Sequence, residues 1–368
     1  MLKLKLLQNK NFYLLLFFCF AIVLLAGCVK VKEPTRTVKI APLGIFKSED
    51  YGLTWKEKNA YLNTMGKLLT IGDVSINKII IDPNDQNALY LATDKGLYYS
   101  YSRAEGWQQV PIFGSAPIND IAVDYFDKCN IFVTAGQSIY KSTDCLRTWL
   151  EVYFDTRSDL QITDVEIDKY NREGVVYAAN NKGELLKSSD FGRTWQTIKR
   201  FDNAIRQILI DKDDTRIIYI ATETAGLFKT LDAGKTWSDE KPETDINKGL
   251  NQFYESKIFH YLVQDMTAKN SFILASQFGL LKTNNGGQDW QSIELITPER
   301  GANIYSVAID SKDNKIIYYG TDTTLYKSID GGKTWATFKS PTSGIVDLLL
   351  IDQQSPNIIY LGVKAIKK

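Results

Sequence analysis

The chain has 368 residues, with 44 Lys and Arg against 43 Asp and Glu, and a single His. That balance gives no support for nucleic-acid binding by bulk attraction, and one His rules out a histidine-rich metal cluster. Twenty Tyr and 17 Phe beside only 3 Met suit an all-β protein working outside the cytoplasm.

The N-terminus reads as a targeting segment. Lys3, Lys5 and Lys10 precede an apolar run from Phe12 to Leu25. The run is shorter than the ~20 residues of a comfortable membrane span. It ends at Leu25-Ala26-Gly27-Cys28, which resembles a bacterial lipobox. The resemblance implies a signal peptide over 1–27 and acyl chains, palmitate among them, on Cys28. Such a lipoprotein would be held at the cell membrane, or at the outer membrane of a Gram-negative cell, by ~0.8 kcal/mol per buried CH₂. A plain secretory signal and an uncleaved anchor are the alternatives. Residues 28–37, with Lys30, Lys32, Glu33 and Pro34, read as a polar tether. Residues 38–368 then form one repeat domain.

From Ser48 onward the pattern Ser-x-Asp-x-Gly-x-Thr-Trp recurs. Its acidic place holds Asp50, Asp144, Asp190, Asp232 and Asp330, with Asn285 in one copy and Ser102 in a worn one. All seven Trp of the chain close a copy: Trp55, Trp107, Trp149, Trp195, Trp237, Trp290 and Trp335. An Asp in a tight turn accepts bonds from backbone N–H groups that lack a ladder partner. Gly two residues later permits a positive φ. A closing Trp that covers the turn contributes on the order of 4–6 kcal/mol of gross burial. The motif resembles the Asp-box of the bacterial-neuraminidase-type (BNR) repeat, found across β-propellers, and in that family it is structural. Catalysis or calcium binding is the other reading of these acids. An active site is one constellation, however, and these residues are spread over the whole chain.

The intervals between successive Trp are 52, 42, 46, 42, 53 and 45 residues. That is the period of a propeller blade. Each unit holds an apolar run ending in Asp (strand a), a polar turn, a second run (b), a Gly-bearing turn, a third run (c), the motif turn and a last strand (d). The apolar runs are nearly continuous, as expected of sheets covered on both faces. The chain enters at Leu43-Gly44-Ile45-Phe46-Lys47, which matches strand c, and leaves through 346–351 and 358–361, which match strands a and b. The predicted fold is therefore an all-β, seven-bladed β-propeller of four-stranded antiparallel blades, closed by pairing N-terminal c/d with C-terminal a/b strands.

Cys129 falls in an a–b turn and Cys145 in the motif turn of the same unit, on one face of the meander. A disulfide between them would contribute roughly 3 kcal/mol and offset the loss of the motif Gly to Leu146. Two unpaired thiols are the alternative. Longer d–a loops are expected over 56–75 and 238–257, the second with Phe253 and Tyr254. Counting five back from each strand-a Asp gives Asn77, Asn119, Thr163, Arg206, His260, Tyr305 and Asp347 at the mouth of the central channel, with Asp120 and Asp164 beside them. They read either as a binding mouth or as solvated strand starts. Nothing suggests a nucleophile elbow, a metal site or a cofactor.

Asp-box propellers include enzymes and binding proteins. Sialidases have six blades and an Arg-Ile-Pro motif that is missing here. Sortilin-type receptors have ten blades. Xyloglucanase-type glycosidases share very similar repeats but work between two seven-bladed domains. Over about 38–363 the chain is most similar to bacterial photosystem II assembly and stability factor-like propellers. That resemblance implies a non-enzymatic, lipid-anchored monomer that binds a protein partner in assembling a membrane complex. The alternative is a glycan-binding or glycoside-hydrolysing propeller using paired acids among Asp120, Asp164 and Asp347. Hydrolysis needs carboxyls ~5 Å or more apart.

Overall fold

The computed structural model describes residues 42–366 apart from 64, 171–173 and 323. The signal peptide, Cys28 and the tether lie outside the described residues. Seven antiparallel sheets are arranged in a ring, making a seven-bladed β-propeller.

Blade I joins the two ends of the fold. Gly44–Ser48 (strand c) pairs along its whole length with Ile359–Lys364 (strand b), from Gly44 opposite Val363 to Ser48 opposite Ile359. Lys56–Glu57 and Ile345–Ile351 complete that sheet as strands d and a. Blade II contains Ile76–Asp82, Asp85–Thr93, Gly96–Ser100 and Trp107–Gln109. Blades III, IV, VI and VII follow the same four-strand pattern.

Two insertions depart from it. The hairpin Ala60–Leu62 and Leu68–Thr70 adds to the outer edge of blade II, where Tyr61 and Leu62 lie parallel to Trp107 and Gln108. Blade V (Ile205–Ile210, Ile218–Thr222, Leu227–Thr230) has three strands. The segment after Trp237 goes instead into a 3-10 turn, Ser238–Glu240, and a one-turn helix, Asn247–Leu250. Ile246 and Leu250 from this segment pack against Tyr219, Leu274 and Trp290, filling the seam between blades V and VI.

The apolar runs are continuous because the blades stack. Strand b is buried residue for residue in Val176–Asn180, Ile218–Thr222 and Phe272–Ser276. Each core cluster spans two blades, as where Phe132 and Ala122 of blade III meet Val165, Ile167 and Val176 of blade IV. Strand a ends on a buried Asp in every blade: Asp82, Asp124, Asp168, Asp211, Asp265, Asp310 and Asp352. Each carboxylate accepts the N–H two residues on, at 2.8–3.1 Å, and so holds the a–b turn.

The recurring motif turns share one hydrogen-bond pattern. Ser48 Oγ accepts the Gly52 N–H at 2.8 Å, and Asp50 accepts the Thr54 N–H at 2.8 Å and its hydroxyl. The Asp144, Asp190, Asp232 and Asp330 turns repeat it. In the Asn285 copy the polarity is exchanged: the Asn285 amide donates to Asp289 at 2.8 Å, and Asn285 Oδ1 accepts the Asp289 N–H. The acid has moved four places and the bond survives. The worn copy lacks a carboxylate, and Ser100 Oγ alone accepts the Ala104 N–H at 3.1 Å. The fifth place takes a positive φ throughout, from 81° at Gly192 to 92° at Gly234 in the five glycine copies. Leu146 and Ala104 hold it at 71° and 67° without glycine's freedom.

Cys129 and Cys145 are joined by a disulfide, in the same blade as Leu146. Trp107, Trp237 and Trp290 are buried, whereas Trp55, Trp149, Trp195 and Trp335 stay partly exposed. Of the three buried ones, Trp107 lies beside the added strand Ala60–Leu62 and Trp290 packs with Ile246 and Leu250. A second latch crosses the seams. Lys141, Lys187, Lys229 and Lys327 of strand c each donate to a carbonyl in the next blade's motif turn, at 2.9–3.2 Å. Each passes over an aromatic ring from strand b, at 5.1–5.4 Å from the centroid. Burial pushes all four ammonium groups below their ordinary pKa.

Candidate functional site

A cavity of about 590 Å³ opens where the strands a begin, on the face that carries the b–c and d–a connections. The seven residues counted from the strand-a Asp, namely Asn77, Asn119, Thr163, Arg206, His260, Tyr305 and Asp347, all line it. The volume is that of a small-ligand or peptide-segment site.

Most of this ring also has a structural task that sequence reasoning missed. Asn77 Nδ2 donates to Ile118 O, Asn119 Nδ2 to Ile162 O and Thr163 Oγ1 to Ile205 O, each at 2.8 Å. His260 Nδ1 is bonded to Ile304 O at 2.7 Å. In every case the carbonyl belongs to the residue just before the next blade's ring position. Four residues of three chemical kinds thus staple four seams. That bond makes His260 a donor at Nδ1, and burial holds its pKa below the ordinary value. Tyr305 stacks on His260, with centroids 5.9 Å apart and planes 17° from parallel. Arg206 instead pairs with Glu223 within its own blade, and Asp347 pairs with Lys364 at 2.6 Å.

One residue further along strand a lies a second ring, which includes Lys78, Asp120, Asp164, Gln207 and Tyr261. Asp120 accepts the Val165 N–H at 3.0 Å, Asp164 the Ile208 N–H at 2.9 Å, and Gln207 Oε1 the Leu262 N–H at 3.1 Å. These too are cross-seam bonds. Lys78 supplies the counter-charge, 3.2 Å from Asp120 and 3.8 Å from Glu166. Its side chain keeps 22% of its surface exposed, toward the lumen.

Asp164 is held well above the usual carboxylate range. Burial is the first cause, the neighbouring Asp120 charge opposes ionisation further, and Lys78 works the other way. The second carboxylate oxygen of each, Asp120 Oδ1 and Asp164 Oδ1, is buried without a hydrogen-bond partner among the described residues, although Asp120 Oδ1 faces the Lys78 ammonium. Burial likewise raises Glu166 and Tyr261. Asp120 and Asp164 each commit one oxygen to a backbone N–H of the next blade, and Asp120 also pairs with Lys78. Asp347, the third acid considered for hydrolysis, is occupied by Lys364.

Phe253 and Tyr254 do not belong to the mouth. Phe253 packs on Phe278 with centroids 5.1 Å apart, inside the blade V–VI core. Tyr254 is exposed under the Arg300 guanidinium, 5.1 Å from its ring. The insertion folds outward because Ile246 and Leu250 draw it into the seam. Lys78, Glu166, Tyr261 and Lys364 were not singled out in the sequence. The first three fall four, two and four places before a strand-a Asp, so the same count would have found them. Among the described residues no group of His, Cys, Asp and Glu could hold a metal ion.

No family model matches the chain, and no curated protein is significantly similar in sequence. Solved structures are similar in fold. The GH74 xyloglucanase from Xanthomonas campestris superposes with a TM-score of 0.63 at 18% identity, covering 78% of this chain and 51% of its own. The chain therefore spans about half the length of that enzyme. YCF48 from Cyanidioschyzon merolae gives 0.59 at 12% identity, covering 79% of this chain and 95% of its own. YCF48 bound to D1 peptide gives 0.58 at 12% identity, covering 80% and 94%. At these identities the likeness concerns the propeller fold, which enzymes and binding proteins share.

Proposed function

We propose that the chain is a membrane-tethered, non-enzymatic Asp-box propeller that binds a protein segment across its channel mouth, in assembling or maintaining a membrane or cell-envelope complex. One observation carries the reading: Asp120 and Asp164 at the mouth each accept a backbone N–H of the next blade and Asp347 pairs with Lys364, so the acids considered for hydrolysis are engaged in holding the structure. Around Asp120 and Asp164, Arg206, Lys364 and Lys78 alternate with Glu223, Asp347 and Glu166. An extended peptide presents both N–H and C=O groups and suits such a mixed surface. A neighbour of similar fold, YCF48, is known bound to D1 peptide. The tether rests on the lipobox-like Leu25-Ala26-Gly27-Cys28. The propeller is proposed to act as a monomer outside the cytoplasm.

The test compares two baits on native membranes, the wild-type lipoprotein and Arg206→Glu/Lys364→Glu. A protein captured by the first and lost with the second is the expected result. Capture of no protein, with retention on an immobilised polysaccharide instead, would overturn this reading in favour of a carbohydrate-active propeller.

A further inference from the structure

The hairpin added to blade II breaks the rule that the outward face of an edge strand is polar. Tyr61 turns inward, edge-on to Tyr98 with centroids 5.3 Å apart. Leu62 and Leu68 sit directly opposite one another and face out, 51% and 67% exposed. Met65, at the tip between them, is 85% exposed. Other exposed apolar side chains occur mainly as single residues or neighbouring pairs, as surface residues commonly do. Here three fall within seven residues on one protrusion, and Lys67 stands exposed among them.

The protrusion is held in place. Asn63 Oδ1 accepts the N–H groups of Met65 and Lys67 at 3.0 and 2.8 Å and fixes the tip. Trp107 Nε1 donates to Lys58 O at 2.7 Å and holds the base. The chain enters the fold at this base. Leu43 N–H donates to Gly72 O at 2.8 Å, and Asn59 Nδ2 donates to Leu43 O at 3.0 Å. Fifteen residues separate Leu43 from Cys28, a reach of at most about 50 Å. A tether of that length keeps the propeller near a bilayer without fixing which side faces it.

We infer that the hairpin Ala60–Thr70 is a lipid-docking wedge: Leu62, Met65 and Leu68 enter the acyl boundary and Lys67 meets anionic headgroups, so the propeller sits on the bilayer by its blade I–II edge. This rests on the anchoring at Cys28 proposed above. Apolar burial supplies the affinity, and the tether supplies the local concentration that so small a patch needs. The arrangement fits a mouth that must reach a partner in or at the membrane, because the chain enters on the same side as the mouth.

The test places one thiol at a time, by Met65→Cys or by Leu231→Cys on the motif turn of blade V. Both sites are exposed, and Cys129 and Cys145 are paired. An environment-sensitive fluorophore on each is read on vesicles of phosphatidylethanolamine and phosphatidylglycerol containing brominated acyl chains. One arm uses the full lipoprotein from membranes. The other replaces residues 1–27 by a histidine tag, carries Cys28→Ser and is held on nickel-chelating lipid. The expected result in both arms is strong bromolipid quenching at Met65, none at Leu231, and loss of the Met65 quenching in Leu62→Ser/Leu68→Ser. Equal, weak quenching at both sites in the tagged arm overturns the wedge, whatever Cys28 carries. Concentration-dependent shielding of Met65 without lipid also overturns it, in favour of self-association. Quenching in the tagged arm, with no acyl group at Cys28 by mass spectrometry, leaves the wedge standing and removes the anchor.

Discussion

The outer ring of motif turns and the inner ring at the channel mouth do the same work by opposite means. At the rim, one chemistry is repeated: a Ser or Thr hydroxyl and an Asp carboxylate bind the same N–H groups in five of the seven turns. At the mouth, Asn77, Asn119, Thr163 and His260 make one and the same cross-seam bond with three kinds of side chain. The rim turn closes on its own backbone, so local geometry dictates the residue. The mouth bond needs only a donor of suitable reach, so the residue is free to vary and to serve a ligand as well. Uniformity follows how narrowly the geometry specifies the donor rather than whether the bond crosses a seam, since the strand-c latch across four seams is Lys each time.

The largest effect is expected at the mouth. Lys78→Met removes the counter-charge of Asp120 and Glu166 and should cost about 3 kcal/mol in guanidinium unfolding at pH 7. A smaller loss would mean that lumen water already screens the cluster. Opening the blade III disulfide with Cys129→Ser/Cys145→Ser should cost roughly 3 kcal/mol by loop entropy, read from the urea midpoint. Since Leu146 carries its positive φ beside that bridge, the loss should show first as faster hydrogen exchange in 140–150. Asp50→Ala at the rim removes three side-chain bonds of a single turn and should cost only about 1 kcal/mol, the scale of a lost helix cap. A loss as large as that of Lys78→Met would erase the contrast between the rings.

The two rings should also respond oppositely to acid. Side-chain and backbone bonds from Thr54, Thr194 and Thr334 hold Asp50, Asp190 and Asp330 down at about 2. A depressed folded-state pKa contributes stability above the unfolded value near 4, and that contribution is lost as pH falls toward 2. Asp164 is raised, so the folded state binds the extra proton and its contribution fades as pH rises above about 4.

Much of this was legible in the sequence because repeats report on themselves. The Trp spacing gave the blade period, and the mismatch of the two ends gave closure through Gly44–Ser48 and Ile359–Lys364. Counting from the strand-a Asp located the mouth ring residue by residue. Three features were not legible. The mutual influence of Asp120 and Asp164 couples residues 44 apart that come near each other only when blades III and IV stack. The stapling role of Asn77 or His260 is invisible because no one residue type marks it. The aromatic pair Phe253 and Tyr254 looked like a loop tip, yet Ile246 and Leu250 decide where that loop goes, by burying themselves under Trp290.

The central claim is that the mouth's acids form a seam and not an acid–base machine. Guanidinium unfolding of Asp164→Asn beside the wild type, from pH 4 to pH 8, tests it most directly. Asn keeps an acceptor for the Ile208 N–H and offers Asp120 a donor that never ionises. The account predicts near-equal stability at pH 4 and a growing advantage for the variant as pH rises. A variant that is less stable throughout, with the wild-type pH dependence unchanged, would contradict it.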